Sequence, residues 1–518
     1  MRKVNLLLLS CLLWPLMLSA QDFQIRRGNC MPDRDGSAGQ QPRKALPSVN
    51  THWDPERIYR QLVILISFAG DGTDFSTDDP KAAYDMLFNM NGYNQRDGKG
   101  CVAEYFRDQS EGLFNLQFDV YGPYRVSQSA RLANANANST NYGNAAMVEA
   151  TKMLIQENPD MDFSVYDWNS DGRVNQVIYV HAGLSGNGAS EAVYGYLWPN
   201  TSSFSTITTP DGKRISDYTA SAELWPNNTS CGIGTICHEF SHSLGLPDIY
   251  PVPSWTFSAV DEWDLMDGGN FTNYGWCPPN YSPLEKMLLG WLQPVELTEP
   301  STITEMKPVS AGGEVYQVKH TDTEYLLLEN RQWNGWDYGA PGSGLVIYHV
   351  NYIASKWVAN TVNGTSNAPF NYTLFHADNR DYNAWSKYIG EAGLGHYAYS
   401  PWLRSYYLSG SPYPYTTSEG EVINELTDAS VPATQMINEN ASGSKLLSKP
   451  ITNIQVADDG TVSFDFMGGN PSGISTTASQ PSDGDSNVYN IMGQRVATPR
   501  KGLFIKNGKK YIKSFIIN

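Results

Sequence analysis

At 518 residues the chain is longer than the roughly 250 to 300 at which a single hydrophobic core stops growing, so two or three folded units are expected. Acidic residues outnumber basic ones by 53 to 36, a formal charge of −17, which excludes nucleic-acid binding through a basic groove. With 31 Tyr, 14 Trp and only 17% charged residues, the composition fits an extracellular protein rich in strands and loops.

Residues 1–20, "MRKVNLLLLSCLLWPLMLSA", place Arg2 and Lys3 before an apolar run that ends in Ser19-Ala20, the pattern of a secretory signal peptide. Its removal would take the formal charge to −19 and leave Cys30, Cys101, Cys231, Cys237 and Cys277, an odd number, so that a monomer keeps at least one thiol unpaired. No later segment is long and apolar enough to span a bilayer. Residues 21–58 carry no clear period and read as a pro-segment or a lead-in.

The continuous apolar run "QLVILISFAG" from Gln61 predicts a buried strand and the start of a folded domain. "CVAEYFRDQSEGLFNLQFDVYGPY" predicts a short helix, a turn at Glu111-Gly112 and an alternating strand, and "NAAMVEATKMLIQE" has helical spacing. "VNQVIYVHAG" predicts a second buried strand. Beyond Trp291 the texture turns to strands, "EVYQVKH", "EYLLLENRQ", "SGLVIYHVNY" and "ITNIQVADDGTVSFDFMG", with Gly, Pro and Asn clusters between them. Residues 468–487 have linker composition, and the tail from 488 to 518 carries alternating apolar residues with "NGKK" as a hairpin signal.

The densest chemistry is in "TICHEFSHSLGLPDIY", residues 235–250. His238 and His242 stand four apart, so a helix presents both imidazoles on one face, as a pair of zinc ligands requires. Glu239, beside the first, is placed to take a proton from a zinc-bound water as general base. Gly245 permits the left-handed turn that brings the chain back, and Asp248 offers a carboxylate oxygen as third ligand. The bland reading of Asp248 is a turn residue after Pro247.

"HEFSHSLGLPD" resembles the extended zinc motif of the metzincin metallopeptidases in its version with Asp as third ligand, and "DEWDLMDGG" resembles that clan's Met-turn. Together with "CVAEYFRDQSEGLFNL", "DWNSDGRVNQVIYVHAG" and "YSPLEKMLLGW", these stretches are most similar to the immune inhibitor A family of secreted bacterial metallopeptidases, over about residues 60 to 295. The resemblance implies a zinc endopeptidase acting on protein or peptide substrates, a latency-keeping pro-segment, and Met266 as an apolar floor beneath the metal rather than a ligand.

"DWNSDGRVN" sets Asp167, Asn169 and Asp171 at alternating positions before Gly172, with the Arg173 carbonyl and Asn175 following, the first part of an EF-hand-like calcium loop. Its twelfth position is Ile178 rather than glutamate, leaving open a different closing ligand, weaker binding or a plain Asp/Asn-rich turn. Cys30 loosely resembles the cysteine switch of some metzincin pro-peptides; a disulfide partner or an idle thiol are the alternatives. The tail resembles C-terminal domains on secreted and surface proteins of Bacteroidetes, which implies contact with secretion machinery or an accessory module.

The expected architecture is α+β: signal peptide 1–20, pro-segment or lead-in 21–58, metzincin-like catalytic domain 59–295, β-rich sandwich-like domain 296–467, linker 468–487 and a small β tail 488–518. The expected activity is zinc-dependent peptide-bond hydrolysis with Glu239 as base and calcium as a structural addition. The rival is a surface adhesin or glycan-binding protein that keeps the zinc domain as a scaffold.

Overall fold

The computed structural model describes residues 53–131, 139–186, 196–225, 227–252, 259–364, 369–380 and 408–470, and in the tail 488–490, 496, 502–506 and 509–513. The expected signal peptide, nearly all of the pro-segment with Cys30, and most of the linker lie outside them. Residues up to Gly469 form one compact unit and Asn470–Asn518 a second.

The apolar run near Gln61 forms β1 (Ile58–Phe68), which sends Leu62, Ile64 and Ile66 into one core and Val63 and Leu65 into another, as the two-residue period of a strand requires. Asp79 caps α1 (Pro80–Asn89) by accepting the Ala82 N–H, and proline fits the first turn because no intrahelical partner awaits its missing N–H. A capping box opens α2 (Val102–Gln109): Glu104 accepts the Cys101 N–H at 3.1 Å while the Cys101 sulfur accepts the Glu104 N–H at 3.4 Å. Glu111 and Gly112, both at positive φ, turn the chain into β2 (Asn115–Val126), whose alternating burial suits an edge strand.

Then follow α3 (Ser139–Glu157), β3 (Val177–Leu184), β4 (Asn200–Thr208), β5 (Arg214–Leu224), α4 (Gly234–Leu244) and α5 (Pro283–Leu288). The sheet order is β2-β1-β3-β5-β4, parallel except for the antiparallel edge β4. Ala146, Met147, Ala150 and Leu154 of α3 cover one face, and Val102, Phe106, Ile236 and Phe240 of α2 and α4 help cover the other. The result is a mixed α/β layering with helices on both faces. Strands β4 and β5 carry no expectation from the sequence; in β4, "NTSSFSTIT", Phe204 is buried and Ile207 partly buried among otherwise polar residues.

The second half contains β6 (Val295–Glu296), β7 (Ser301–Met306), β8 (Tyr316–Lys319), β9 (Glu324–Arg331), β10 (Gly344–Asn351), α6 (Ala354–Val358), β11 (Tyr372–Leu374), β12 (Tyr415–Thr416), β13 (Val422–Ile423), β14 (Ile451–Val456) and β15 (Val462–Phe466). Two sheets, β11-β10-β9-β8-β6 and β14-β15-β7, face each other across Leu326, Leu328, Leu345, Ile347, Phe464 and Phe466. The opposite face of the larger sheet supplies Tyr325, Leu327, Val346, Tyr348 and Val350 to the same core as Phe240, Met266 and Tyr281. The apolar interior therefore crosses residue 295 without a break. Fully buried Arg331 adds a polar seam, donating to Glu329 and Asp337 at 2.7 Å each and to the Tyr281 carbonyl at 3.2 Å. Asp337 also accepts the Asn280 side-chain amide at 2.7 Å.

In the tail, β16 (Val488–Asn490), β17 (Gly502–Lys506) and β18 (Lys509–Lys513) form an antiparallel meander, with residues 507–508 between the last two. No helix among the described residues is long and apolar enough to cross a membrane.

Candidate metal centre

The helix α4 is shaped by glycines at both ends. At Gly234 a Cβ would lie 2.0 Å from the Asn270 carbonyl oxygen, so only glycine lets the helix start against that segment. At Gly245, φ is 105°, a left-handed cap whose N–H bonds the His242 carbonyl at 2.9 Å and which stops the helix and reverses the chain toward Asp248.

His238 and His242 lie one turn apart on this helix with ring centroids 4.8 Å from each other. His238 Nδ1 pairs with the Leu265 carbonyl and His242 Nδ1 with the Leu246 carbonyl, each at 2.8 Å. A carbonyl can only accept, so both Nδ1 atoms carry a proton, and in the neutral rings that bind a metal the Nε2 lone pairs face inward. Asp248 Oδ1 lies 3.3 Å from His238 Nε2 and 3.2 Å from His242 Nε2, and the three donor atoms all lie within 4.8 Å of one another. Such separations are close to the tetrahedral edge of about 3.3 Å that metal–ligand bonds of about 2.0 Å generate.

All three residues are buried, and His238 Nε2 and Asp248 Oδ1 make no hydrogen bond. Buried polar atoms left this way carry a cost unless something else satisfies them. Burial alone would raise the Asp248 pKa, but His242 and then His238 outweigh it and hold the carboxyl well below its usual range. Burial alone would lower the His238 pKa, but Asp248 and Glu239 and the Leu265 carbonyl raise it. Two nitrogens and an oxygen that converge in a buried setting beside a second carboxylate fit a zinc ion in donor type, number and spacing. No other group of three or more His, Cys, Asp or Glu side chains converges in this way among the described residues.

Glu239 is fully buried beside this cluster. Thr201 on the edge strand β4 reaches it, its hydroxyl lying 3.0 Å from Glu239 Oε2 and 2.6 Å from the Glu239 carbonyl. Met266 is buried in the main core, and its turn supports the centre through the backbone: the Leu265 carbonyl holds His238, and the Met266 carbonyl accepts the Ile249 N–H at 2.9 Å, next to Asp248.

Sequence reasoning missed two contributors. Thr201 sits in a strand with no apolar period, and Asn360 lies 112 residues beyond Asp248, accepting the Asp248 N–H at 2.6 Å and donating to its Oδ2 at 2.7 Å. Neither belongs to a motif, and no local signal could have found them.

The acidic loop is arranged differently. Asp167 accepts the N–H groups of Asp171 and Gly172 at 3.0 and 2.9 Å and the Lys213 ammonium at 2.8 Å. Burial raises the Asp167 pKa, but Lys213 and these amides lower it overall. Asn175 accepts the Trp168 N–H at 2.6 Å, Asn169 donates to Asp171 at 3.1 Å, and Asp171 accepts the Arg173 N–H at 2.8 Å. A cavity of about 640 Å³ opens between α1, α2 and β2, lined among others by Lys81, Arg107 and Phe118, and none of the centre's residues faces it. Cys101, Cys231, Cys237 and Cys277 are all buried free thiols.

Two histidines one helical turn apart, an adjacent glutamate and a carboxylate third ligand define the class of zinc-metallopeptidase domains of the His-Glu-x-x-His type. Within that class, residues 71–289 match the family described as Immune inhibitor A peptidase M6, catalytic domain. The chain is similar to the pre-pro-metalloprotease PrtV of Vibrio cholerae serotype O1, 23% identical over 265 residues that make up 46% of this chain and 28% of that protein. It is also similar to Immune inhibitor A of Bacillus thuringiensis subsp. alesti, 26% identical over 271 residues, 43% of this chain and 38% of that one. The chain thus spans between about a quarter and two fifths of the length of these curated relatives.

Proposed function

We propose that this chain is a zinc-dependent endopeptidase that hydrolyses peptide bonds of proteins. The observation that carries the proposal is the convergence of His238 Nε2, His242 Nε2 and Asp248 Oδ1, with their outward ring nitrogens already fixed by carbonyls and Glu239 alongside. Zinc held by these three side chains would supply a Lewis acid that lowers the pKa of a bound water and polarises the scissile carbonyl. Glu239 then accepts the proton of the attacking water on a carboxylate oxygen and passes it to the leaving amine nitrogen. Thr201 restrains the glutamate through Oε2. No covalent acyl intermediate is required.

The four residues of the centre are 0 or 1% exposed, so a protein substrate can reach Glu239 only after covering residues move. The aperiodic stretch 21–58 ahead of the first strand supports reading the chain as a latent precursor activated by removal of an N-terminal segment, and the pattern of residues 1–20 supports action outside the cell. A calcium ion at residues 167–175 is a subordinate proposal: it would have to compete with Lys213 for Asp167, and its part would be structural. The test is to purify the chain, activate it by limited proteolysis, and measure bound zinc together with cleavage of a quenched peptide library with and without chelator. Stoichiometric zinc and chelator-sensitive cleavage are expected; zinc without cleavage after activation would reject the peptidase reading.

A further inference from the structure

The third ligand of the centre is held from the β-rich half of the molecule. Helix α6 ends in a Schellman-type turn, with the Thr361 N–H bonding the Lys356 carbonyl at 2.8 Å and Asn360 in the left-handed region at φ 55°. Asparagine tolerates that conformation, but glycine would serve the turn at least as well. The side chain therefore has to be explained separately, and both its polar ends are committed to Asp248. Asn360 Oδ1 accepts the Asp248 N–H at 2.6 Å while Asn360 Nδ2 donates to Asp248 Oδ2 at 2.7 Å. This closed pair of bonds fixes the plane of the carboxylate and engages Oδ2, leaving Oδ1 as the oxygen that faces the two histidine nitrogens. Three residues on, Asn363 donates to the Ile249 and Tyr372 carbonyls at 2.9 and 2.8 Å and accepts the N–H groups of Asn371 and Tyr372, tying the same turn to both the ligand segment and β11.

We infer that Asn360 is a positioning residue of the metal centre, which selects Asp248 Oδ1 as ligand atom and makes zinc affinity depend on the seating of the β-rich half. The inference rests on the zinc reading above. Partners that orient a ligand typically change metal affinity by about 10- to 100-fold when removed.

The decisive variant is Asn360→Gly, which keeps the left-handed turn and deletes both bonds to Asp248. Zinc affinity is measured on the full chain by competition with a chromogenic chelator, the visible absorption of the cobalt-substituted protein reports ligand geometry, and the melting temperature of the metal-free protein reports the fold. The expected result is zinc affinity lower by about 10- to 100-fold and an altered cobalt spectrum, with the metal-free melting temperature nearly unchanged. Asn360→Asp, which keeps the size and the acceptor but sets a carboxylate where the donor was, should shift both metal readouts in the same direction. Zinc affinity within about threefold of the parent with an unchanged cobalt spectrum in either folded variant would overturn the inference while leaving the peptidase reading intact. A parent chain that takes up no zinc would overturn both.

Discussion

The zinc helix and the acidic loop both have the spacing of metal-binding motifs, yet their donor atoms are differently engaged. At His238, His242 and Asp248 the outer atoms are fixed by the protein and the inner ones converge, with His238 Nε2 and Asp248 Oδ1 making no hydrogen bond. In the acidic loop, Asp167 already accepts two amides and an ammonium, and Asn175 accepts a backbone N–H. Spacing alone proposes a site; what tells the two apart is whether the folded chain leaves converging lone pairs that its own groups do not satisfy.

That contrast breaks most sharply at the ligands. His238→Ala should lower zinc uptake below detection and abolish cleavage, as measured by metal analysis and peptide hydrolysis; stoichiometric zinc in the variant would place the centre elsewhere. Glu239→Gln should retain zinc and lower kcat by about 10²- to 10⁴-fold, the range of a lost general base, and near-parental turnover would refute its role. In the acidic loop the expected effect is smaller. Lys213→Met removes the ammonium beside Asp167, whose side chain is fully buried, and should lower the melting temperature by a few degrees. Millimolar calcium should then restore it if the loop can take the ion, whereas an unresponsive variant would remove calcium from the picture.

The smallest effect concerns a carboxylate with all its partners inside the protein. Glu324 accepts His349 at 2.7 Å and the Ile437 and Asn438 N–H groups at 2.6 and 2.9 Å. Burial raises its pKa, but His349 and these amides hold it down at about 2, below its usual 4.5. A carboxyl lowered on folding stabilises the native state fully above the unfolded pKa and loses that contribution as pH falls through the folded one. Between pH 4.5 and about 2 the chain should therefore lose on the order of 2 kcal/mol through this group, and Glu324→Gln should flatten that part of the stability profile. An identical acid profile in the variant would show that other groups carry the transition.

Local signals in the sequence were sufficient for much of this. The buried strands β1 and β3, the turn at Glu111-Gly112 and the helix of His238 and His242 follow from periods and cap residues within a dozen positions of each other. Strand β4 did not, because its two apolar residues, Phe204 and Ile207, stand three apart and off the two-residue period of a strand, and with it Thr201 was lost. Asn360 was illegible for a different reason: its partner is 112 residues away, and contacts at that separation leave no periodic mark. The break in texture near Trp291 suggested a boundary between folding units, but strands β9 and β10 alternate between two cores, and a single sequence cannot say which core each face joins.

The shared core has a practical consequence for anyone cutting the chain. A fragment ending at residue 295 would remove Tyr325, Leu327, Val346, Tyr348 and Val350 from the core they share with the first half, and would strand Asn280 without Asp337. Such a fragment should aggregate rather than work as a minimal enzyme, and the natural place to shorten the protein is after Gly469, where the first compact unit ends.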